Sequence, residues 1–176
     1  ILKIAVMGMG VAGSYLMARL KDSEHDVTGY ERAIEEKHDS ICAWGTIKSE
    51  LAKFCKKTGR DFDDFLIHDG KQMHVKMNDS VKFDIGLKGL CTYNKLGLIK
   101  DFIKDSKIIY GEAPKLEELE KEYDLIVDCT GFNRALISKI SSLEHDNYQA
   151  NVNVALFGRV QYDHPMVNFI PYTKGA

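Results

Sequence analysis

The chain has 176 residues, 44% of them hydrophobic and 28% charged, with a formal net charge of −2. That length suits one domain, or one domain with a portion of another, and the balanced charge gives no electrostatic case for nucleic acid, whose binders usually carry a basic face. No apolar run approaches the roughly 20 residues a membrane helix needs, and the apolar start reads as a strand rather than a secretory signal, so a cytoplasmic setting is expected, with peripheral membrane contact left open.

Ile1 to Met7 is an apolar run of strand length. It meets Gly8-Met9-Gly10-Val11-Ala12-Gly13, after which Ser14 to Leu20 continues in helical register. Asp26 to Tyr30 is a second strand candidate and leads to Glu31. A bare G-x-G-x-x-G is a weak pattern; framed by a strand, a helix and an acid about 20 residues on, it is a dinucleotide-binding fingerprint. In that fingerprint Gly8 permits a tight turn, Gly10 lets a pyrophosphate approach the backbone, and Gly13 lets the helix pack closely on the sheet. The first helical turn, with Val11 and Ala12, offers unpaired N–H groups and a partial positive charge to phosphates. Glu31 is placed to accept hydrogen bonds from a ribose and to repel a 2′-phosphate, which favours FAD or NAD over NADP. The alternative is a glycine-rich turn that binds nothing.

Arg32 to Gly45 is polar and irregular; Ile47 to Lys57 has helical spacing, with Ile47, Leu51, Phe54 and Cys55 as its inner face. Asp61 to Leu66 reads as a short helix or turn. Between Ile67 and Leu90 the period changes: Met73, Val75 and Met77 alternate, then Val81, Phe83 and Ile85. Such alternation marks half-buried antiparallel strands, and Asn78-Asp79-Ser80 between them predicts a hairpin. Tyr93 to Lys104 returns to helical spacing, with Leu96, Ile99, Phe102 and Ile103 inward. Lys107 to Tyr110 is a strand candidate and Lys115 to Lys121 a short charged helix. Leu125-Ile126-Val127 reads as a buried strand ending in the turn Asp128-Cys129-Thr130-Gly131, and further strand patterns follow at Gln149 to Phe157 and Val160 to Tyr162.

The expected fold is therefore α/β: a Rossmann-like parallel βα core over residues 1–66 and 91–140, an antiparallel hairpin insertion at 67–90, and the start of a further β segment at 148–176. Ligands of open α/β sheets sit outside the carboxyl ends of the strands, so Asp128 to Phe132 is expected beside Gly8 to Gly13. Because the chain opens at Ile1 inside a strand pattern and closes soon after new ones, it is expected to be a piece of a longer protein.

These motifs resemble the FAD-dependent oxidoreductases of the geranylgeranyl reductase type, within the wider group of aromatic hydroxylases and flavin-dependent halogenases. The resemblance rests on the glycine turn with Tyr30-Glu31-Arg32, on Cys42-Ala43-Trp44-Gly45, on Cys91 to Ile99, and on Leu125 to Phe132, and spans residues 1 to about 135. It implies an incomplete FAD-binding domain. Gly8, Gly10, Gly13 and Glu31 would hold the ADP portion, Arg32 would lie beside the adenosine, Gly131 would line the adenine side, and Asp128 is a further cofactor-binding candidate. The Cys42 loop would lie near the isoalloxazine, which makes Cys42 and Trp44 the candidate catalytic pair. The family's later Gly-Asp segment, which holds the ribityl chain, does not occur before Ala176.

Other candidates have plainer readings. Cys42, Cys55, Cys91 and Cys129 form no C-x-x-C pair, which suits a reducing compartment and predicts neither a disulfide frame nor a zinc site. His68 and His74 flank a strand without partners at ligand spacing and are expected to face solvent. Asp61, Asp63 and Asp64 lack the glycine and terminal glutamate of a calcium loop. Asn78-Asp79-Ser80 matches a glycosylation sequon but suits a hairpin turn. No metal is expected. The functional expectation is an FAD-dependent oxidoreductase acting on an isoprenoid or aromatic organic substrate with an electron donor. The alternatives are an NAD-binding dehydrogenase domain and a non-catalytic nucleotide-binding fragment.

Overall fold

The computed structural model describes residues 1–39, 45–76, 82–139 and 166–168. The chain divides into two compact units, Ile1–Ile41 with Lys95–Asn153, and Cys42–Asn94 with Val154–Ala176.

The first unit is built on four parallel strands in the order β8-β2-β1-β9. Strand β1 (Lys3–Met7) pairs with β2 (Asp26–Glu31) on one side and β9 (Leu125–Asp128) on the other, and β2 pairs with β8 (Ile108–Tyr110). The chain thus runs outward from β1 through β2 to β8 and then returns to the far side of β1. The reversal of strand order falls between β1 and β9, where open parallel sheets bind ligands at their carboxyl ends.

Helices cover both faces of this sheet, as parallel strands require. Ala5 and Met7 of β1 pack with Tyr30, Leu119 and Leu136, so helix α4 (Leu116–Glu122) covers that face. By strand alternation Ile4 and Val6, both buried, face the other way. Helices α1 (Val11–Leu20) and α3 (Lys95–Ile103) pack on each other, with Tyr15 and Phe102 edge to face at 5.8 Å. Leu98, Ile99, Phe102 and Ile103 are the buried face of α3; Leu98 takes the place expected of Leu96, which is only half-buried. Strand β9 is less buried than its apolar run predicts, with Leu125 46% exposed, because it is an edge strand among the described residues.

The second unit is antiparallel apart from one pairing. Strand β7 (Leu90–Tyr93) lies between β3 (Gly45–Ile47) and β4 (Leu66–Asp69). The hairpin is β5 (Gln72–Lys76) with β6 (Lys82–Gly86), in register from Gln72 opposite Gly86 to Lys76 opposite Lys82. Strand β10 (Met166–Asn168) joins β5 in parallel. The β6 side chains are all exposed, Phe83 and Ile85 included, so the expected half-burial is absent there. Residues expected to be irregular just before Ile47 are strand β3, because β7 supplies a hydrogen-bonding edge. Helix α2 (Lys48–Lys56) buries Cys55 and leaves Phe54 exposed, a narrower inner face than its spacing predicts. The 3₁₀ turn Phe62–Phe65 carries Asp61 as its cap, accepting from the Asp63 N–H at 3.0 Å. Asn78-Asp79-Ser80 and the strand patterns at 149–162 lie outside the described residues.

Candidate functional site

The apolar strand β1 stops at Gly8 because the chain must turn there. Gly8 has φ +89°, a conformation that glycine adopts without strain, and its N–H donates to the Tyr30 carbonyl at 2.8 Å. A Cβ on Gly13 would collide with the Gly8 carbonyl oxygen and lie 3.3 Å from the Cys129 Cβ. Small residues at these positions let the first turn of α1 close onto both strand ends. The turns after β1 and β9 are in contact: the place of a Gly8 Cβ is 3.1 Å from the Thr130 Cα. The second glycine turn therefore lies where the strand-end rule put it.

Gly10 behaves differently. It is the N-cap of α1 at φ −76°, and a Cβ added there would meet nothing within 4 Å among the described residues. No side chain caps the helix and no acid stands in its first turn. The N–H groups that open a helix have no partner within it. Val11 is half-buried and Ala12 exposed in that turn. Backbone donors and open space thus coincide at Gly10.

Glu31 closes the arrangement. Its Oε2 accepts from the Met9 N–H at 3.0 Å and its Oε1 from the Ala33 N–H at 2.9 Å. The carboxylate is turned toward the glycine turn, and its side chain retains 14% exposure. Each carboxylate oxygen has lone pairs beyond the one bond described. Arg32, next along the chain, is exposed.

His38 completes the support from within. Its side chain is 3% exposed and its Nε2 lies 2.9 Å from the Met9 carbonyl oxygen. A carbonyl only accepts, so Nε2 carries the hydrogen. The same Nε2 is 3.8 Å from Glu31 Oε2, the ring leans on Tyr110 at 5.7 Å, and Nδ1 has no hydrogen-bond partner among the described residues. The sequence reading did not single out His38, which stands alone in a polar stretch; only its contact with Met9, 29 residues away, reveals it.

Asp128 builds the second turn. Its Oδ1 accepts from the Thr130 N–H and hydroxyl at 2.9 and 2.6 Å, and its Oδ2 from the N–H groups of Leu136 and Ile137 at 2.9 and 3.0 Å. Burial alone would raise its pKa, but these hydrogen bonds outweigh burial and hold the carboxyl below its ordinary value. Gly131 is exposed and opens the 3₁₀ turn Gly131–Asn133. Burial, together with the charge of Asp128, pushes the Cys129 thiol up, away from a reactive thiolate.

Gly8, Met9, Gly13, Glu31 and the 128–130 turn therefore converge at the carboxyl ends of β1, β2 and β9. Cys42 and Trp44 lie outside the described residues. His68 is half-buried on β4, and among the described residues no three His, Cys, Asp or Glu side chains gather in a way that could hold a metal. No described helix is long and apolar enough to cross a membrane. Two shallow depressions of about 350 and 330 Å³ lie elsewhere on this unit, one beside Tyr110 and one at the amino ends of the strands near Lys3 and Asp26. The glycine turn is marked by its backbone donors.

No family model and no curated protein matches the sequence. Solved structures do resemble the chain. One is pqsL, a probable FAD-dependent monooxygenase from Pseudomonas aeruginosa, at 15% identity and TM-score 0.47, over 66% of this chain and 36% of that one. Another is Klebsiella pneumoniae HpxO complexed with FAD and uric acid, at 18% identity and TM-score 0.47, over 63% and 31%. A third is CtdE in complex with FAD and a substrate, at 12% identity and TM-score 0.49, over 64% and 31%. The chain spans about a third of the length of these proteins.

Proposed function

We propose that the first unit binds the ADP portion of FAD and that the protein is part of an FAD-dependent oxidoreductase. One observation carries this reading: Glu31 faces the Met9 N–H at the opening of an uncapped helix whose Gly10 borders open space. A pyrophosphate suits the helix opening, by charge and by hydrogen bonding, and a ribose diol suits the carboxylate. In this reading Gly8 and Gly13 shape the turn, Gly10, Val11 and Ala12 meet the phosphates, and Glu31 holds the ribose with Arg32 beside it. Asp128 holds the adjoining turn in shape and Gly131 lines the adenine side.

A bound flavin supplies hydride and electron transfer; the protein supplies binding, orientation and electrostatics. The antiparallel unit supports FAD over NAD, because a plain doubly wound dehydrogenase domain would continue with βα repeats. The geranylgeranyl reductase type, with an isoprenoid substrate, rests on the sequence motifs; an aromatic substrate is the companion reading within the same group. Both include an electron donor and a cytoplasmic setting.

Titration of the purified chain with FAD, ADP and NAD tests the assignment. FAD and ADP are expected to bind competitively, with a flavin absorbance near roughly 450 nm retained after gel filtration. Binding of NAD in preference to FAD, or of no adenine nucleotide, would reject it.

A further inference from the structure

The Met9–Gly10 peptide leads into the N-cap of helix α1, and a buried histidine holds its carbonyl. His38 is 3% exposed, its Nε2–H donates to the Met9 oxygen at 2.9 Å, and its Nδ1 is left without a partner among the described residues. An apolar side chain would fill the same interior space without leaving a buried nitrogen unpaired, so packing alone does not account for a histidine here. The Met9–Gly10 peptide is trans, as are all peptide bonds among the described residues. In a trans peptide the C=O and N–H point in opposite directions, so a carbonyl drawn toward His38 turns the Gly10 N–H away from it. Gly10 is the residue that borders open space at the helix opening. The preceding peptide is fixed by its own bond, Met9 N–H to Glu31. The Met9 side chain is fully buried, and a Cβ on Gly29 would lie 3.0 Å from its sulfur. Met9 is thus held at three points, and the one His38 holds fixes the peptide whose N–H belongs to Gly10.

We infer that His38 is a positioning residue for the phosphate-binding turn: through the Met9 carbonyl it aims the Gly10 N–H at a nucleotide diphosphate, without touching the ligand itself. The inference rests on the ADP-binding reading above.

The test is calorimetric titration of the full chain with ADP, and with adenosine in competition, for the unaltered protein and for His38→Leu, His38→Gln and His38→Asn. Glutamine can place an N–H near the position of Nε2, whereas asparagine is too short to reach the Met9 oxygen. His38→Leu is expected to weaken ADP by about tenfold or more and adenosine by less than about threefold, the size of one misaligned hydrogen bond to a charged group. His38→Gln is expected to restore ADP binding to within about threefold. Equal losses for ADP and adenosine, or unchanged ADP affinity in folded His38→Leu, would overturn the inference alone. If His38→Leu does not fold, the comparison falls to His38→Gln against His38→Asn, and equal ADP affinity of those two overturns it. An unaltered chain that binds no ADP overturns the cofactor reading and this inference together.

Discussion

The position a Cβ would take on Gly8 lies 2.8 Å from the carbonyl oxygen of Cys129, so the turn after β1 and the turn after β9 share one space. A Cβ on Gly10, two residues on, would meet nothing within 4 Å among the described residues. Two glycines of one motif therefore do different work: one is required by the fold, the other leaves room for a ligand.

Alanine substitutions separate those roles. Gly8→Ala is expected to destabilise by about 1–3 kcal/mol from its left-handed backbone alone, with the Cys129 contact adding to that. Gly10→Ala is expected to change stability by less than about 1 kcal/mol, since its backbone is extended and its surroundings open. ADP affinity should nevertheless fall by about tenfold or more in Gly10→Ala, because the methyl group takes the approach path of the phosphates. Urea unfolding and ADP titration on both variants check the pair. A Gly10→Ala protein that binds ADP normally would contradict the assignment.

Asp128 gives an acid-side prediction. Its carboxyl is held below the ordinary value of 3.8 by the bonds from Thr130, Leu136 and Ile137. A depressed folded-state pKa stabilises above the unfolded value, and that contribution is lost as pH falls from there through the folded one. The unaltered chain should lose stability on acidification below about pH 4 more steeply than Asp128→Asn. At pH 7 the substitution is expected to destabilise by about 2 kcal/mol, because the amide cannot accept on both sides. Unfolding curves across that pH range for both proteins decide the matter; parallel pH profiles would refute it.

The strand, glycine turn, helix and acid at the start of the chain were legible because each signal is local. The 3.6 and 2.0 periodicities, the glycine spacing and the distance to Glu31 all lie within one βαβ stretch. The place of the Asp128 turn was legible through a rule about parallel sheets rather than through any residue pattern. Strand β3 was not, since three residues carry no period and its partner β7 is some forty-five positions away, Thr46 lying opposite Cys91. His38 was hidden for a similar reason: a single histidine in a polar run has no pattern until its carbonyl partner is known. The bonds from Leu136 and Ile137 to Asp128 were hidden too, because they join it to a segment beyond the motif.

Tyr30 and Tyr123 supply an alkaline counterpart. Their hydroxyls are 2.9 Å apart and their rings meet edge to face at 6.2 Å. Burial first, then the bond to Tyr123, then the charges of Glu122 and Glu112, raise the Tyr30 phenol well above its ordinary value of 10.0. A raised folded-state pKa means a contribution that is complete below pH 10 and lost as pH climbs toward the folded value. Tyr30→Phe is expected to destabilise by about 1 kcal/mol at pH 7 and to flatten the alkaline decline. Thermal unfolding from pH 7 to 11 measures both; an unchanged slope above pH 10 would count against the pairing.

Glu31 sets the last prediction, which concerns selectivity. Its carboxylate is fixed by Met9 and Ala33 beside the glycine turn, and in the proposed reading it holds the ribose. Negative charge at that distance repels a 2′-phosphate, so the chain should bind ADP far better than 2′-phosphorylated ADP. Glu31→Gln keeps an oxygen for one backbone N–H and removes the charge. It should weaken ADP only modestly while narrowing the gap to the 2′-phosphorylated ligand by about tenfold. The narrowing should shrink in high salt, because the repulsion it removes is screened there and the lost hydrogen bonds are not. Competition titrations at two ionic strengths distinguish these terms, and an unchanged ratio of the two affinities would show that Glu31 does not face the ribose.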